Sequence, residues 1–87
     1  PSGIVEQAEL IWRNIMAMLR DAEMGAAEIV SVTTYVTPGH DLSTVMAVRD
    51  TALDGHLAAS TLVIVAELAR PEWLMEIAIV AAGGPHD

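Results

Sequence analysis

The segment WLMEIAIVAA, Trp73 to Ala82, constrains the fold more than any other stretch. Extended, it sends Trp73, Met75, Ile77, Ile79 and Ala81 to one side. Leu74, Glu76, Ala78, Val80 and Ala82 go to the other. Both sides are apolar apart from Glu76. The chain has 87 residues, which fits one small domain spanning 1–87. It contains two helical segments, and these can cover one face of a sheet. A sheet that is apolar on both faces then needs a second burial partner, most simply another copy of the chain. A homo-oligomer is the expectation.

Charge and composition narrow the function. The formal net charge is -8, with four basic residues, all arginine. They are dispersed at Arg13, Arg20, Arg49 and Arg70. Phosphate-backbone binding needs clustered cations, so no nucleic-acid partner is expected, and no anionic membrane surface. There is no cysteine, which excludes disulfides, thiol catalysis and cysteine metal sites. No apolar run reaches the roughly 18 residues of a membrane span, and no signal-peptide pattern stands out. A cytoplasmic protein is expected. With 53% hydrophobic residues, no Phe and one Tyr, the core must be aliphatic.

The hydropathy pattern predicts the order α-β-α-β-β. A first helix runs from about Ile4 to Met24, with Ala8, Ile11, Ile15, Met18, Leu19 and Ala22 as its apolar stripe and Gly25 closing it. Glu28 to Thr37 is a strand, with Val30, Val32, Thr34 and Val36 on one face. Pro38-Gly39 marks a turn, and Asp41 is the N-cap of a second helix over Leu42 to Leu53. Gly55 ends that helix. Two strands follow, Thr61 to Leu68 and Trp73 to Ala82, predicted to pair as an antiparallel hairpin through Ala69 to Glu72.

Few residues suggest chemistry. Glu76 is a carboxylate on an apolar strand face, and a carboxyl in apolar surroundings can serve as a general acid or base. The plainer alternative is an interface Glu paired with an arginine of a neighbour. Ser60 and Thr61 offer hydroxyls, with no base placed in sequence to activate them. His40, His56 and His86 lack metal-ligand spacing, so no metal is expected. His40 and His86 read as solvated, and His56 as a loop residue near Ser60. The methionines read as packing.

Two stretches, EQAELIWRNIMAMLRDAEMGAAEIVSVTTYVTPGHDLSTV and HLAASTLVIVAELARPEWLMEIAIVAA, together resemble the RidA family, also called YjgF or endoribonuclease L-PSP. The matching pieces are Asn14-Ile15 on the first helix, the strand Ile29 to Val36, Asp41-Leu42 opening the second helix, and Glu76-Ile77 on the closing strand. The resemblance implies an α+β fold like that of chorismate mutase, a sheet with two helices on one face. It also implies a homotrimer with small-molecule sites at the subunit interfaces and no cofactor. Active members hydrolyse enamines and imines such as 2-aminoacrylate to keto acids and ammonia. An arginine holds the substrate carboxylate and a glutamate positions water.

The departures from that pattern are informative. Against a Pro-Ala-Arg-Ser-Thr-like family segment the chain reads Leu57-Ala58-Ala59-Ser60-Thr61, so Ala59 stands where the arginine is expected. A methyl group cannot replace a bidentate guanidinium contact. Met46 stands where many members carry Asn. Glu76 matches the family glutamate. The resemblance thus marks Glu76 as catalytic and Ala59, Ser60, Thr61 and Met46 as ligand-binding. The expected ligand is small and neutral or apolar, for a hydrolase or deaminase of an imine- or enamine-type substrate. A non-catalytic binding or protein-interaction module is the alternative. The N-terminal strands usual in the family are expected to be missing.

Overall fold

A computed structural model describes residues 3–82. The elements are α1 (Ile4–Asp21), a 3-10 turn (Ala26–Glu28), β1 (Ile29–Val36), α2 (Leu42–Leu53), β2 (Ala59–Ile64) and β3 (Met75–Ala81). Two helices cover one face of a three-stranded mixed sheet, so the fold class is α+β as expected. His86 and the Gly83 to Pro85 segment lie outside the described residues.

In α1 the buried residues are Ala8, Trp12, Ile15 and Leu19. They follow the i, i+4, i+7, i+11 series that keeps one face inward. Trp12, 3% exposed, belongs to this stripe, whereas Met18 is 62% exposed. Met18 lies one residue from Leu19, about 100° round the helix, so it cannot share the buried line. The helix also ends earlier than its periodicity suggests. Glu23 takes a left-handed φ of 61°. The Met24 N–H bonds the Leu19 carbonyl at 2.7 Å and the Glu23 N–H bonds Arg20 at 2.9 Å. This pair of bonds is the Schellman C-terminus. Gly25, expected to close the helix, instead opens the 3-10 turn with its N–H on Glu28 Oε1 at 2.7 Å.

β1 does not keep a strict alternation. Ile29 is 2% exposed and Val30 is 52% exposed. The ladder to β3 shifts between Ile29 and Ser31, so Val30 is the extra residue of a β-bulge. A bulge reverses the side on which the preceding residue points. Ile29 thereby joins Val32 and Val36 in the core, and Val30 faces outward.

α2 spans the predicted residues. The Asp41 carboxylate accepts from the Ser43 N–H at 3.0 Å and from the Ser43 hydroxyl at 2.6 Å. The Ser43 hydroxyl and then its backbone N–H hold the Asp41 carboxyl below its usual pKa of 3.8. A carboxyl lowered in the folded state adds stability above its unfolded pKa and loses it as pH falls through the folded value. Asp41→Ala should therefore lower the melting temperature at neutral pH and flatten the acid limb of a pH–melting curve. An unchanged acid limb would remove Asp41 from that account. At the other end, Asp54 and Gly55 turn left-handed at φ 51° and 84° and stop the helix.

The predicted hairpin is not formed. The strand order is β2-β1-β3, with β1 central, parallel to β2 and antiparallel to β3. α2 is the crossover that a parallel pair requires. The apolar runs of β2 and β3 carry no label for their neighbour, and ten residues separate them, enough to pass to the far side of β1. β2 also stops at Ile64, short of the expected Leu68. Its ladder partner β1 ends just before Thr37-Pro38. The Val65 N–H makes the last bond, to Val36 at 2.9 Å. Beyond it the Thr37 N–H turns to Leu74 at 3.0 Å, and Pro38 has no N–H to offer.

The core lies between helices and sheet. Trp12, Ile15, Leu19, Ile29, Val32 and Leu53 form one cluster. Ala8, Val36, Val45 and Met75 form the other. Ala8, fully buried, lets α1 approach the end of β1 closely because it has only a methyl group to place.

Candidate functional site

The pairing register assigns every strand side chain to a face. Val32, Thr34 and Val36 face the helices, with Ile79, Ile77 and Met75 opposite them on β3 and Ser60, Leu62 and Ile64 on β2. The other face carries three rows: Ala59–Ser31–Val80, Thr61–Thr33–Ala78 and Val63–Tyr35–Glu76. No helix covers this second face. Glu76, Ala78, Val80, Ala59, Thr61 and Val63 are all exposed on it, and Ser31, Thr33 and Tyr35 are half-buried. Val63 is 37% exposed and Val80 60%. The two-sided apolar character of Trp73 to Ala82 is thus real: one side meets the helices and the other is open.

The five sequence candidates do not converge in one chain. Glu76, Ala59 and Thr61 project from the open face. Ser60 points the other way, where its hydroxyl accepts from Arg49 Nη1 at 2.9 Å. Adjacent strand residues face opposite sides, so Ser60 and Thr61 could not share a pocket wall. Met46 sits on α2, 37% exposed, on the far side of the sheet from Glu76. Glu76 and Ala59 occupy opposite corners of the open face, on the order of 16 Å apart by strand rise and spacing. One copy of the chain therefore does not bring them together.

Two further residues set the position of Glu76. Gln7 of α1 donates to the Glu72 carbonyl at 3.0 Å and accepts from the Leu74 N–H at 2.9 Å. This two-pronged clamp fixes the entry to β3. Its partners lie more than sixty residues away in sequence, so no local pattern could reveal it. Tyr35 is the ladder partner of Glu76. Cβ atoms directly opposite in an antiparallel pair are about 5 Å apart, so the two side chains leave the same face as neighbours. Glu76 also borders a groove of about 600 Å³ at the outer edge of β3, lined by Leu10, Ile11, Trp73 and Ile77 among others.

Two of the arginines are engaged elsewhere. Arg49 holds Asp50 Oδ1 through Nε at 3.0 Å and Nη2 at 2.9 Å, besides its bond to Ser60. It ties α2 to the helix side of β2. Arg70 lies 3.7 Å from the Glu72 carboxylate and 5.9 Å from the centre of the Trp73 ring. Two histidines do structural work as well. The His40 Nε2 is 3.0 Å from the Thr37 hydroxyl, and the His56 Nε2 is 2.9 Å from the Ile29 carbonyl. Among the described residues no group of acidic, histidine or cysteine side chains could hold a metal, and no helix is long and apolar enough to cross a membrane.

Comparison with known proteins places this arrangement. Residues 1–83 match the family model described as endoribonuclease L-PSP. No curated protein matches the chain. Among solved structures it is similar to a candidate endoribonuclease from Thermotoga maritima, at 28% identity and a TM-score of 0.84, covering 97% of this chain and 66% of that one. It is similar to a member of the YjgF/YER057c/UK114 family from Mycobacterium tuberculosis, at 28% identity and 0.80, covering 94% and 70%. E. coli TdcF, solved with bound serine, aligns at 26% identity and 0.81, covering 95% and 68%. The chain spans 63% to 66% of the length of the first three structures it matches. Two helices on one face of a mixed sheet, with the other face open, together with a family match over residues 1–83, establish that the chain belongs to the endoribonuclease L-PSP family, the YjgF/UK114/Rid group.

Proposed function

We propose that the chain assembles through its open sheet face into a homotrimer and binds a small metabolite where copies meet, with Glu76 as its acid/base residue. The observation that carries this reading is the placement of Glu76 on a sheet face that no helix covers. Covering that face with a neighbour gives the exposed valines a burial partner. It also lets Glu76 of one copy approach Ala59 and Thr61 of another, which no single copy does. The serine in E. coli TdcF supports a small-molecule site in this fold.

In such a pocket the chemistry is hydrolysis of an imine or enamine. Water adds to the electrophilic carbon and its proton passes to the Glu76 carboxylate. The same proton then goes to the nitrogen of the carbinolamine. As the C–N bond breaks, the remaining hydroxyl proton passes to the Glu76 carboxylate and on to the released ammonia, giving a carbonyl compound and ammonium. An enamine enters through its imine tautomer. No cofactor enters this scheme. The usual amino-acid-derived substrates carry a carboxylate, and Ala59 gives it nothing to bind. Arg49 does not substitute, because its guanidinium is committed to Asp50 and Ser60 on the opposite side of β2.

The test is ammonia release from 2-aminoacrylate generated in the assay by a dehydratase. The native protein should be silent and Ala59→Arg should gain release, since a guanidinium restores the missing anion contact. Release by the native protein at a rate comparable to the variant would show that another residue holds the carboxylate. A non-catalytic binding role is the second reading, favoured by the same Ala59. It predicts silence from both proteins with any imine offered.

A further inference from the structure

The open face is unusual in its charge. Of its nine strand positions, one bears a charged side chain, Glu76. The others are Ser31, Thr33, Thr61 and Tyr35, which offer hydroxyls, and Ala59, Ala78, Val63 and Val80, which are small or aliphatic. A second carboxylate, Glu72, lines the groove beside β3 together with Glu76.

Among the described residues no arginine forms an ion pair with Glu76. The sequence has four arginines, no lysine and three histidines, and His40 is bonded to the Thr37 hydroxyl. Arg49 is bonded on the helix side of β2. Arg70 sits over Trp73 beside Glu72. Arg13 borders the groove between α1 and α2, and Arg20 stands in the last turn of α1. Both lie on the layer opposite the open face, so a neighbour docked through that face does not bring them in.

From this we infer that the pocket takes a small organic cation, a protonated amine or imine without a carboxylate. The inference rests on the interface-pocket reading above and narrows its ligand class. A carboxylate accepts hydrogen bonds and an alkylammonium offers three donors. Glu76 supplies the counter-charge, and the Thr61 hydroxyl of the neighbouring copy that meets Glu76 accepts a further donor. Tyr35, the ladder partner of Glu76 on the same face, offers an aromatic ring to the same cation. A partner copy excludes water from the face, which strengthens the ion contact. The same surroundings disfavour an anion, because Glu76 repels it and nothing neutralises it. A protonated imine is the member of this class whose carbon is electrophilic, so the binding contact and the proposed hydrolysis use the same carboxylate.

Three probes of similar size separate the outcomes: n-propylammonium, n-propanol and propionate. Each is titrated into the native protein while amide NMR shifts of Thr33, Thr61 and Ala78 are followed, with the assembled mass measured alongside by sedimentation. Propylammonium should saturate these shifts at least about tenfold more tightly than propionate, a modest factor for a charge contact shielded from water. Its binding should weaken as salt rises. In Glu76→Gln the ammonium should fall to the affinity of propanol with the assembled mass unchanged. An assembled native protein that binds propionate as tightly as propylammonium overturns the cation inference and leaves the interface pocket standing. Retention of the ammonium preference in Glu76→Gln also overturns the inference. A native protein that sediments as single copies and binds none of the three overturns both.

Discussion

Trp12→Ala should cost about 3–5 kcal/mol of folding stability, the range for removing a buried indole from a packed core. Trp12 is 3% exposed and touches the cluster of Ile15, Leu19, Ile29, Val32 and Leu53. The other large aromatic rings are held elsewhere, Trp73 at the exposed entry to β3 and Tyr35 on the open face, so the void would remain. Small domains carry only about 5–15 kcal/mol in total. The variant should therefore melt on the order of 20 °C below the native protein, read by circular dichroism at 222 nm. Trp12→Phe keeps most of the volume and should recover more than half of that loss. If the alanine variant melts within a few degrees of the native protein, Trp12 does not anchor the helix layer.

Thr33→Arg should break the assembly and leave the fold intact. Thr33 is the centre of the open face, on the middle strand and in the middle row, between Thr61 and Ala78. In a single copy its side chain looks away from the core, so a long cation there reaches water. In an assembly built on this face, the same cation is pressed between sheets. Glu76 on the same face can offset part of the several kcal/mol that taking the ion out of water costs, but the bulk of a guanidinium among small side chains still holds the sheets apart in every copy. Sedimentation should report three times the 9.2 kDa chain for the native protein and a single chain for the variant, with helix content unchanged. Equal masses for the two proteins would mean that this face is not the one through which copies meet.

Periodicity and capping chemistry carried much of the architecture. α2 is bounded by Asp41 and Gly55 as its residues dictate, because a cap and a left-handed terminus are local events. The two faces of β3 were legible for a similar reason: alternation is a property of one strand. Where a local rule had a competitor, the outcome changed. Glu23 took the left-handed position that Gly25 seemed made for, since the Schellman bonds fix where the helix stops. The bulge at Val30 exchanged the roles of two neighbouring aliphatics that the alternation could not tell apart.

By itself the sequence determined the α+β class, the presence of two helices, the apolar second side of the last strand and the likeness to one family. These depend on residue type and short-range spacing. The expected all-aliphatic core, by contrast, takes in Trp12. Tertiary structure alone decided that β1 lies between β2 and β3, because a ladder is chosen by which edges the crossover leaves available. That choice put Tyr35 beside Glu76 and turned Ser60 towards Arg49 while Thr61 stayed on the open face. It also set Glu76 and Ala59 at opposite corners. Register converts a list of adjacent candidates into two separate surfaces, and no spacing along the chain encodes it.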